Sequence, residues 1–530
     1  MRYSRMVVAT SLVTIGCGGS GSSAADDAGT PNPPNPPQSP TLHDDIYEAL
    51  AGATVLVDAA HGITANDVLK GSAFAGFDGA TNHGSIKIAA NGSFAYTPDP
   101  EFSGTDTFEY EIGGGHATAS FTVERRALFV DNQAPSGGDG TQAAPFDGLA
   151  LALNAANQVG DVIFVFAGDG TNTGLAVAGD IVLATAGLTL IGEGVGLATA
   201  QGTIVPAGDL PLLTGRIVVT GDRVTVAGLR STGGPGGVRV HSANGVTIRN
   251  NRFTNPINRQ SSVDLDNVAG AIEVSHNVFS HGAASGDALH LVQSVASAQY
   301  IITKNTFTAT ATVGNAASGK LFSASFNGSA QATLTMNENA STGPGPGQGW
   351  QDLWEMVLAG SANLTMTATQ NTFDGGVGKG IHIDPSESSV LNATFVNNFS
   401  INVGGAPIFV NYSNASSGTL VLRGTTTSGV GPQQIRTLSS APVKFALRDN
   451  VFRSTGGVSA DITLASVSPQ SLLCVDFTNN DLGSLILSRQ GTQFDVEQAT
   501  ELDTLNALDG TVQAPFNAPS EVADGTCGIP

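Results

Sequence analysis

Ile272-Glu-Val-Ser-His-Asn-Val-Phe279 is followed, 28 residues on, by Tyr300-Ile-Ile-Thr-Lys-Asn-Thr-Phe307. The first alternates apolar and polar residues, the second opens on Tyr300-Ile-Ile302, and both end in Asn-x-Phe. The same ending stands at Asn251-Arg-Phe253, Asn371-Thr-Phe373 and Asn450-Val-Phe452, with Asn398-Phe399 as a shortened copy. The Phe positions step by 26, 28, 66, 26 and 53 residues, so the two long gaps are close to two strides each. Weaker counterparts fill them at Asn337-Glu-Asn339 and near Thr425. A period in this range means a solenoid, because one unit cannot bury its apolar face alone and must stack on its neighbours.

Each coil reads as a first strand, a turn, a second strand and the Asn-x-Phe corner. The β-branched residues and alternation of the second strands fit one side facing an interior. The Asn is expected to tolerate left-handed backbone at the corner and to form an amide ladder with its equivalents ~4.8 Å above and below. The Phe rings are expected to stack inside. From Val162 to Leu482 the stride gives roughly a dozen coils.

At 530 residues the chain is too long for one compact core. Charged residues make up only 12%, so its polarity comes from Gly, Ser, Thr and Asn. The net charge is −22, with 22 Lys+Arg against 44 Asp+Glu. Nucleic acid is excluded as a partner by this balance. A polyanionic glycan is disfavoured unless calcium bridges the charges. Acidity also serves simply to keep a long chain soluble.

The N-terminus carries Arg2 and Arg5, then an apolar run from Met6 to Ile15 that is too short to span a bilayer and reads as a signal-peptide core. Thr14-Ile-Gly-Cys17 resembles a bacterial lipobox, with Thr14 where Leu is usual. That resemblance implies that residues 1–17 are a signal peptide and lipobox, cleaved so as to leave Cys17 as the lipidated N-terminus; an ordinary cleaved signal is the alternative. Gly18 after the Cys favours the outer membrane by the same resemblance. The lipid would be the chain's one membrane contact. Residues 18–40 are Gly/Ser-rich and then proline-rich, an extended linker. If Cys17 is lipidated, Cys474 and Cys527 are left as an even pair that an exported chain can oxidise; two free thiols are the alternative.

Residues 41–124 alternate strongly. Ile86 and Ile88 precede Asn91-Gly92, expected to be a type I′ turn, and Phe94, Tyr96, Phe108, Tyr110 and Ile112 continue the pattern. With Thr64-Ala-Asn-Asp-Val68, these residues resemble cadherin-like, immunoglobulin-type modules of bacterial surface proteins. Some members bind calcium, which implies Asp44, Asp45, Asp67 and Asp106 as ligands; ordinary loop acids are the alternative. Asp147 can cap a short Ala/Leu helix with Leu149, Leu153 and Ala156 on one face, and the apolar strand Asp161-Val-Ile-Phe-Val-Phe166 follows. This order, with stacked coils over 126–526, resembles the right-handed parallel β-helix of the pectin-lyase-like superfamily. The fold expected is therefore all-β: a small β-sandwich module, then a parallel β-helix with an N-terminal cap helix.

No nucleophile elbow, HExxH or Cys/His zinc spacing occurs, and Gly192-Glu-Gly-Val-Gly196 reads as a turn. Chemistry can instead sit on the outward residues of the first strands. Aligned coil by coil, one column reads Arg239, Asp264, His290, Phe322, Glu355, His382, Phe409, and a second reads His241, Asp266, Asp384, Asn411. Opposite charges on adjacent strands also favour each other on any solvated sheet. The pectin-lyase-like resemblance implies that such a face binds or cleaves glycan. Asp264, His290, Glu355 and His382 are then the acid/base candidates, and Arg239, His241, Asp266 and Asp384 the binding ones. No counterpart of the NTD, DD, GHG and RIK motifs of polygalacturonases is present, nor a pectate-lyase Arg/Lys-plus-calcium arrangement. Trp350 and Trp354, on a Gly/Pro-rich insertion, are expected either to stack on sugar or to fold back into the solenoid. Asp131, Asp139 and Asp169 are weak calcium candidates among glycines, without EF-hand spacing. The overall expectation is a monomeric surface protein that touches carbohydrate or matrix. A surface-tethered polysaccharide lyase or glycoside hydrolase is the alternative.

Overall fold

The computed structural model describes residues 39–529 apart from 178, 233–235, 255–259, 283–285, 296, 310–318, 344–349, 457–460, 491–492, 503–505, 509–511 and 514–518. The signal segment, Cys17 and the linker up to residue 38 lie outside the described residues. The chain divides into two compact units. One comprises Met1–Phe129, Ala134–Phe146 and Gly196–Ala207, the other Val130–Gln133, Asp147–Val195 and Gly208–Pro530.

The first unit is a two-sheet β module. Asp45–Ala51 runs parallel to Gly115–Val130, which pairs antiparallel with Gly104–Ile112. The other sheet holds Phe77–Ala80, Gly84–Ile88, Phe94–Pro98 and Val55–Val57. A short hairpin, Leu197–Ala198 with Thr203–Val205, adds to its edge through Thr203 and Leu56; nothing in the spacing of residues 196–207 foretells this. Alternation puts Tyr47, Phe94, Tyr96 and Phe121 inside, with Tyr96 stacked on Phe121 at 4.0 Å. Asn91-Gly92 is not a two-residue type I′ turn. The strands part at Ile88 and Phe94, the Gly92 N–H donates to the Ala89 carbonyl, and only Gly92 is left-handed, at φ +83°. This is the longer loop closed by a left-handed glycine.

Asp106 is not open to calcium. Its carboxylate is buried and accepts hydrogen bonds from Thr81 Oγ1, Tyr96 OH and the backbone N–H groups of His83 and Thr107. Asp45 and Asp67 both approach Tyr110 OH, at 3.0 and 3.2 Å, while Asp44 accepts from the Thr118 N–H. Burial, partly offset by the Tyr110 hydrogen bond and reinforced by Asp67, pushes the Asp45 carboxyl up to about 6.

The second unit is a parallel β-helix of three sheets. Sheet 1 has 13 strands among the described residues, from Ile181–Leu183 through Gly237–His241, Leu289–Gln293 and Trp354–Leu358 to Val512–Gln513. Sheet 2 stacks the second strands, among them Thr247–Arg249, Gly270–Ser275 and Ser297–Thr303. Sheet 3 stacks the strands after the corner, from Arg230–Thr232 to Ala507–Leu508. The cap helix is Leu149–Ala155. Its N-cap is Gly148, not Asp147, and the Leu149 N–H donates to the Gly174 carbonyl. Leu149, Ala152 and Ala156 are buried, whereas Leu153 is only half-buried.

Corner geometry divides the labour differently from the sequence expectation. The left-handed residue is the one before the ladder Asn: Asn250, His276, Lys304, Glu338, Gln370, Asn397, Asp449 and Asn479 all have φ between +54° and +59°. The following Asn turns inward and is buried. Asn277 Nδ2 donates to the Ile248 carbonyl at 2.8 Å and to Asn305 Oδ1 at 3.1 Å. Its own Oδ1 accepts from Asn251 N and Nδ2. The chain of amides runs Asn251, Asn277, Asn305, Asn339, Asn371, Asn398 and resumes as Asn450, Asn480, Asn506. Between the two runs stands Thr425, preceded by the left-handed Gly424.

Phe253, Phe279 and Phe307 stack at 5.3 and 4.8 Å. Further along, the file holds Ser341, Phe373, Ser400, Thr427 and Phe452. Phe399 is not a member: it pairs with Thr372 and is 43% exposed, because only the residue two after the Asn points inward.

Candidate functional site

The outward residues of sheet 1 form the columns, with one correction of register. Arg239, Asp264, His290, Ser323, Glu355, His382 and Phe409 are paired in succession. Phe322 pairs with Leu289 and is fully buried, so Ser323 takes the place expected for it. In the second column Val292, Ser325 and Val357 separate Asp266 from Asp384. A third column lies just ahead of the strands: Asp287, Lys320, Asp352 and Lys379 each stand two residues before the first strand residue of their coil, in alternating charge. Lys320 N donates to Asp287 Oδ1 at 2.7 Å and Lys379 N to Asp352 Oδ1 at 2.6 Å.

These columns yield two clusters. In the first, His290 Nδ1 meets Asp264 Oδ1 at 2.9 Å and His241 Nδ1 meets Asp266 Oδ2 at 2.8 Å. Arg239 bridges the two acids, at 3.6 and 3.7 Å. The hydrogen bond to Asp264 raises the His290 pKa against the effect of its burial. At 37% side-chain exposure, His290 keeps a face open to solvent.

In the second cluster, His382 is only 12% exposed and lies among three carboxylates. Its Nε2 is 2.7 Å from Asp384 Oδ2, and its Nδ1 is 3.5 Å from Asp352 and 3.6 Å from Glu355. Lys320 contacts Glu355, and Lys379 Nζ lies 3.0 Å from His382 Nε2 and 3.9 Å from the Phe409 ring centroid. Burial opposes the imidazolium, but the Asp352 and Asp384 hydrogen bonds outweigh it and push His382 up to about 9. Burial likewise works to raise Asp352, and the His382 contact and Lys379 N–H overcome it and hold that carboxyl below the usual range.

The folded pKa of His382 is raised, so its contribution is fully present below pH 6.5 and lost as pH rises through about 9. The solenoid should therefore lose about 2–3 kcal/mol between those limits. Thermal melts across that range should show the fall, and His382→Gln should flatten it.

Asp352, Glu355 and His382 are the one group of three metal-ligating residue types within reach of a single ion among the described residues. Together with Asp384 they set three carboxylates against Lys320, Lys379 and the His382 imidazolium, so the cluster is charge-balanced by its own side chains. Asp131, Asp139 and Asp169 each accept from the backbone N–H two residues on, in local turns. The tryptophans are not free for sugar: Trp350 and Trp354 are both 0% exposed. Trp354 is edge-on to Phe373 at 4.8 Å and Trp350 lies 5.1 Å from His281. Trp354 also lies against Phe322 and Phe395, at 6.2 and 5.9 Å. Cys474 and Cys527 form a disulfide with Cα atoms 5.7 Å apart.

Residues 37–124 match the family described as bacterial Ig domain. No curated protein matches the chain. Three solved structures with which it aligns are carbohydrate enzymes by title. A rhamnogalacturonan lyase is 13% identical over 67% of this chain and 87% of that one, with a TM-score of 0.28. An alginate lyase in complex with G6 is 13% identical over 71% and 84%, at 0.33. A GH136 lacto-N-biosidase from Eubacterium ramulus is 9% identical over 75% and 68%, at 0.25. None superposes closely enough to transfer a residue or a role. No helix among the described residues is long and apolar enough to cross a membrane.

Proposed function

We propose that this chain is an exported bacterial surface protein, held by a lipid on Cys17, that binds glycan along the outer face of sheet 1. The supporting observation is the continuity of paired charge on that face. From Arg239 to His382 the register advances five coils, about 24 Å at the strand spacing, so polar groups recur at an interval comparable to the repeat of an extended glycan. Every titratable member of the buried cluster already has an oppositely charged neighbour, which suits fixed hydrogen-bond positions better than turnover. The bacterial Ig domain match agrees with a surface location.

A second reading rests on the Asp264–His290 dyad. A half-exposed imidazole oriented by a carboxylate is the arrangement of a general acid or base, and glycan lysis or hydrolysis is the reaction it would serve. The two readings part experimentally. Glycan-array binding by the full chain should weaken at least tenfold in Arg239→Ala, with no sugar released from neutral or acidic polysaccharides. Sugar release that disappears in His290→Ala and Asp264→Ala would reject the binding reading in favour of the enzyme.

A further inference from the structure

A polar concavity of about 830 Å³ lies on the second unit, lined by none of the sheet 1 columns. It follows the corner between sheets 2 and 3 in the early coils and is lined by Arg230, Arg252, Asn250, His276, Asp169 and Asp209, with backbone from Gly168, Gly170, Gly194 and Gly208. Its size is that of a small-ligand site.

The lining sets two arginines, Arg230 and Arg252, beside two acids, Asp169 and Asp209. Arg230 and Arg252 are direct partners on adjacent strands of sheet 3, both pointing outward because Ser231 and Phe253 take the inward position. Like charges placed opposite each other at the strand spacing repel. No carboxylate among the described residues forms an ion pair with either one. Asp169 is engaged by Thr171 and Asn132 instead. Arg230 is nevertheless held in place, donating from Nε to the Leu210 carbonyl at 3.0 Å and from Nη2 to the Gly170 carbonyl at 2.7 Å. A fixed guanidinium beside a free one presents planar donors suited to a carboxylate. Asn250 and Asp209, which also line the concavity, offer the amide and acceptor oxygens that sugar hydroxyls take.

We propose that this concavity binds a saccharide unit bearing one carboxylate, with Arg252 and Arg230 on the carboxylate and Asn250 and Asp209 on ring hydroxyls. The site is independent of the sheet 1 reading, since it uses none of the residues invoked there. Calorimetric titration of the full chain with an aldobiouronic acid, and with its carboxyl-reduced counterpart, tests it. Saturable binding is expected for the acid and at least tenfold weaker binding for the reduced sugar. Arg252→Ala should weaken binding at least tenfold while Arg252→Lys keeps part of it. Arg252 is exposed and its side chain has no hydrogen bond or ion pair among the described residues, so the melting temperature of Arg252→Ala serves as the folding control; the acid should raise the melting temperature of the unaltered chain and not that of Arg252→Ala. The proposal is overturned if the acid does not bind, if both sugars bind equally, or if Arg252→Ala binds undiminished.

Discussion

Asn277→Ala is expected to destabilise the solenoid by about 3–5 kcal/mol, a large effect for a change of one small polar side chain. The Asn277 amide takes part in four hydrogen bonds, two as acceptor from Asn251 and two as donor to Ile248 and Asn305. Removing it strands the Asn251 N–H and the Ile248 carbonyl in a fully buried place, at about 1–3 kcal/mol each. It also opens a gap in a chain of amides that polarise one another. Asn277→Asp should be no milder, because it keeps the acceptor, loses the donor and faces the Asn305 oxygen with a charge. Urea denaturation followed by hydrogen exchange in residues 251–307 checks this. A loss under 1 kcal/mol would mean that the ladder follows from the fold without holding it.

Breaking the Cys474–Cys527 bond should be about as severe. The bond closes a loop with a sequence separation of 53, which in the chain-entropy model is worth about 4 kcal/mol. The native tail is also tied by polar contacts that depend on its placement. Lys444 Nζ donates to the Cys527 carbonyl at 2.6 Å, the Cys527 N–H to buried Glu497 at 2.6 Å, and Arg448 Nη2 to the Ile529 carbonyl at 3.2 Å. Releasing the tail would leave the Glu497 carboxylate buried without that donor. Reductant should lower the melting temperature of the unaltered chain and expose residues 520–529 to exchange. The double change Cys474→Ser with Cys527→Ser should reproduce that state and no longer respond to reductant.

What the sequence disclosed depended on how local the determining physics is. The Asn-x-Phe stride and the strand alternation come from residues a few positions apart, so coils, corners and the Phe253–Phe279–Phe307 stack were legible. The register of Phe322 was not, because an insertion over 310–318 precedes its coil and alternation alone leaves one residue of slip. Phe399 misled for a different reason: the register is unbroken after Asn398, so Phe399 takes the outward place of Thr372 and Ser400 the inward place of Phe373. Asp264, His290, Glu355 and His382 could be aligned from strand patterns. Asp287, Lys320, Asp352 and Lys379 were missed because they precede the strands proper, although extending the alternation two residues upstream finds all four. Trp350 and Trp354 illustrate a different difficulty. An aromatic on an insertion reads alike whether it faces sugar or core, and only the contacts with Phe322, Phe373, Phe395 and His281 show that these two face the core.

Thr425 has a consequence for how the second unit comes apart. Asn398 donates to the Ala368 and Val396 carbonyls, and no side-chain amide bond joins it to Thr425 among the described residues; Thr425 meets the next run only through its backbone N–H, which donates to Asn450 Oδ1. The polar spine is thus two separate cables with a splice left unjoined. In a nearest-neighbour array, cooperativity is only as strong as its weakest junction. Fraying that starts at the distal end has a natural firebreak there, so the distal coils can melt and re-form as a block while the proximal coils, with both candidate carbohydrate surfaces, stay wound.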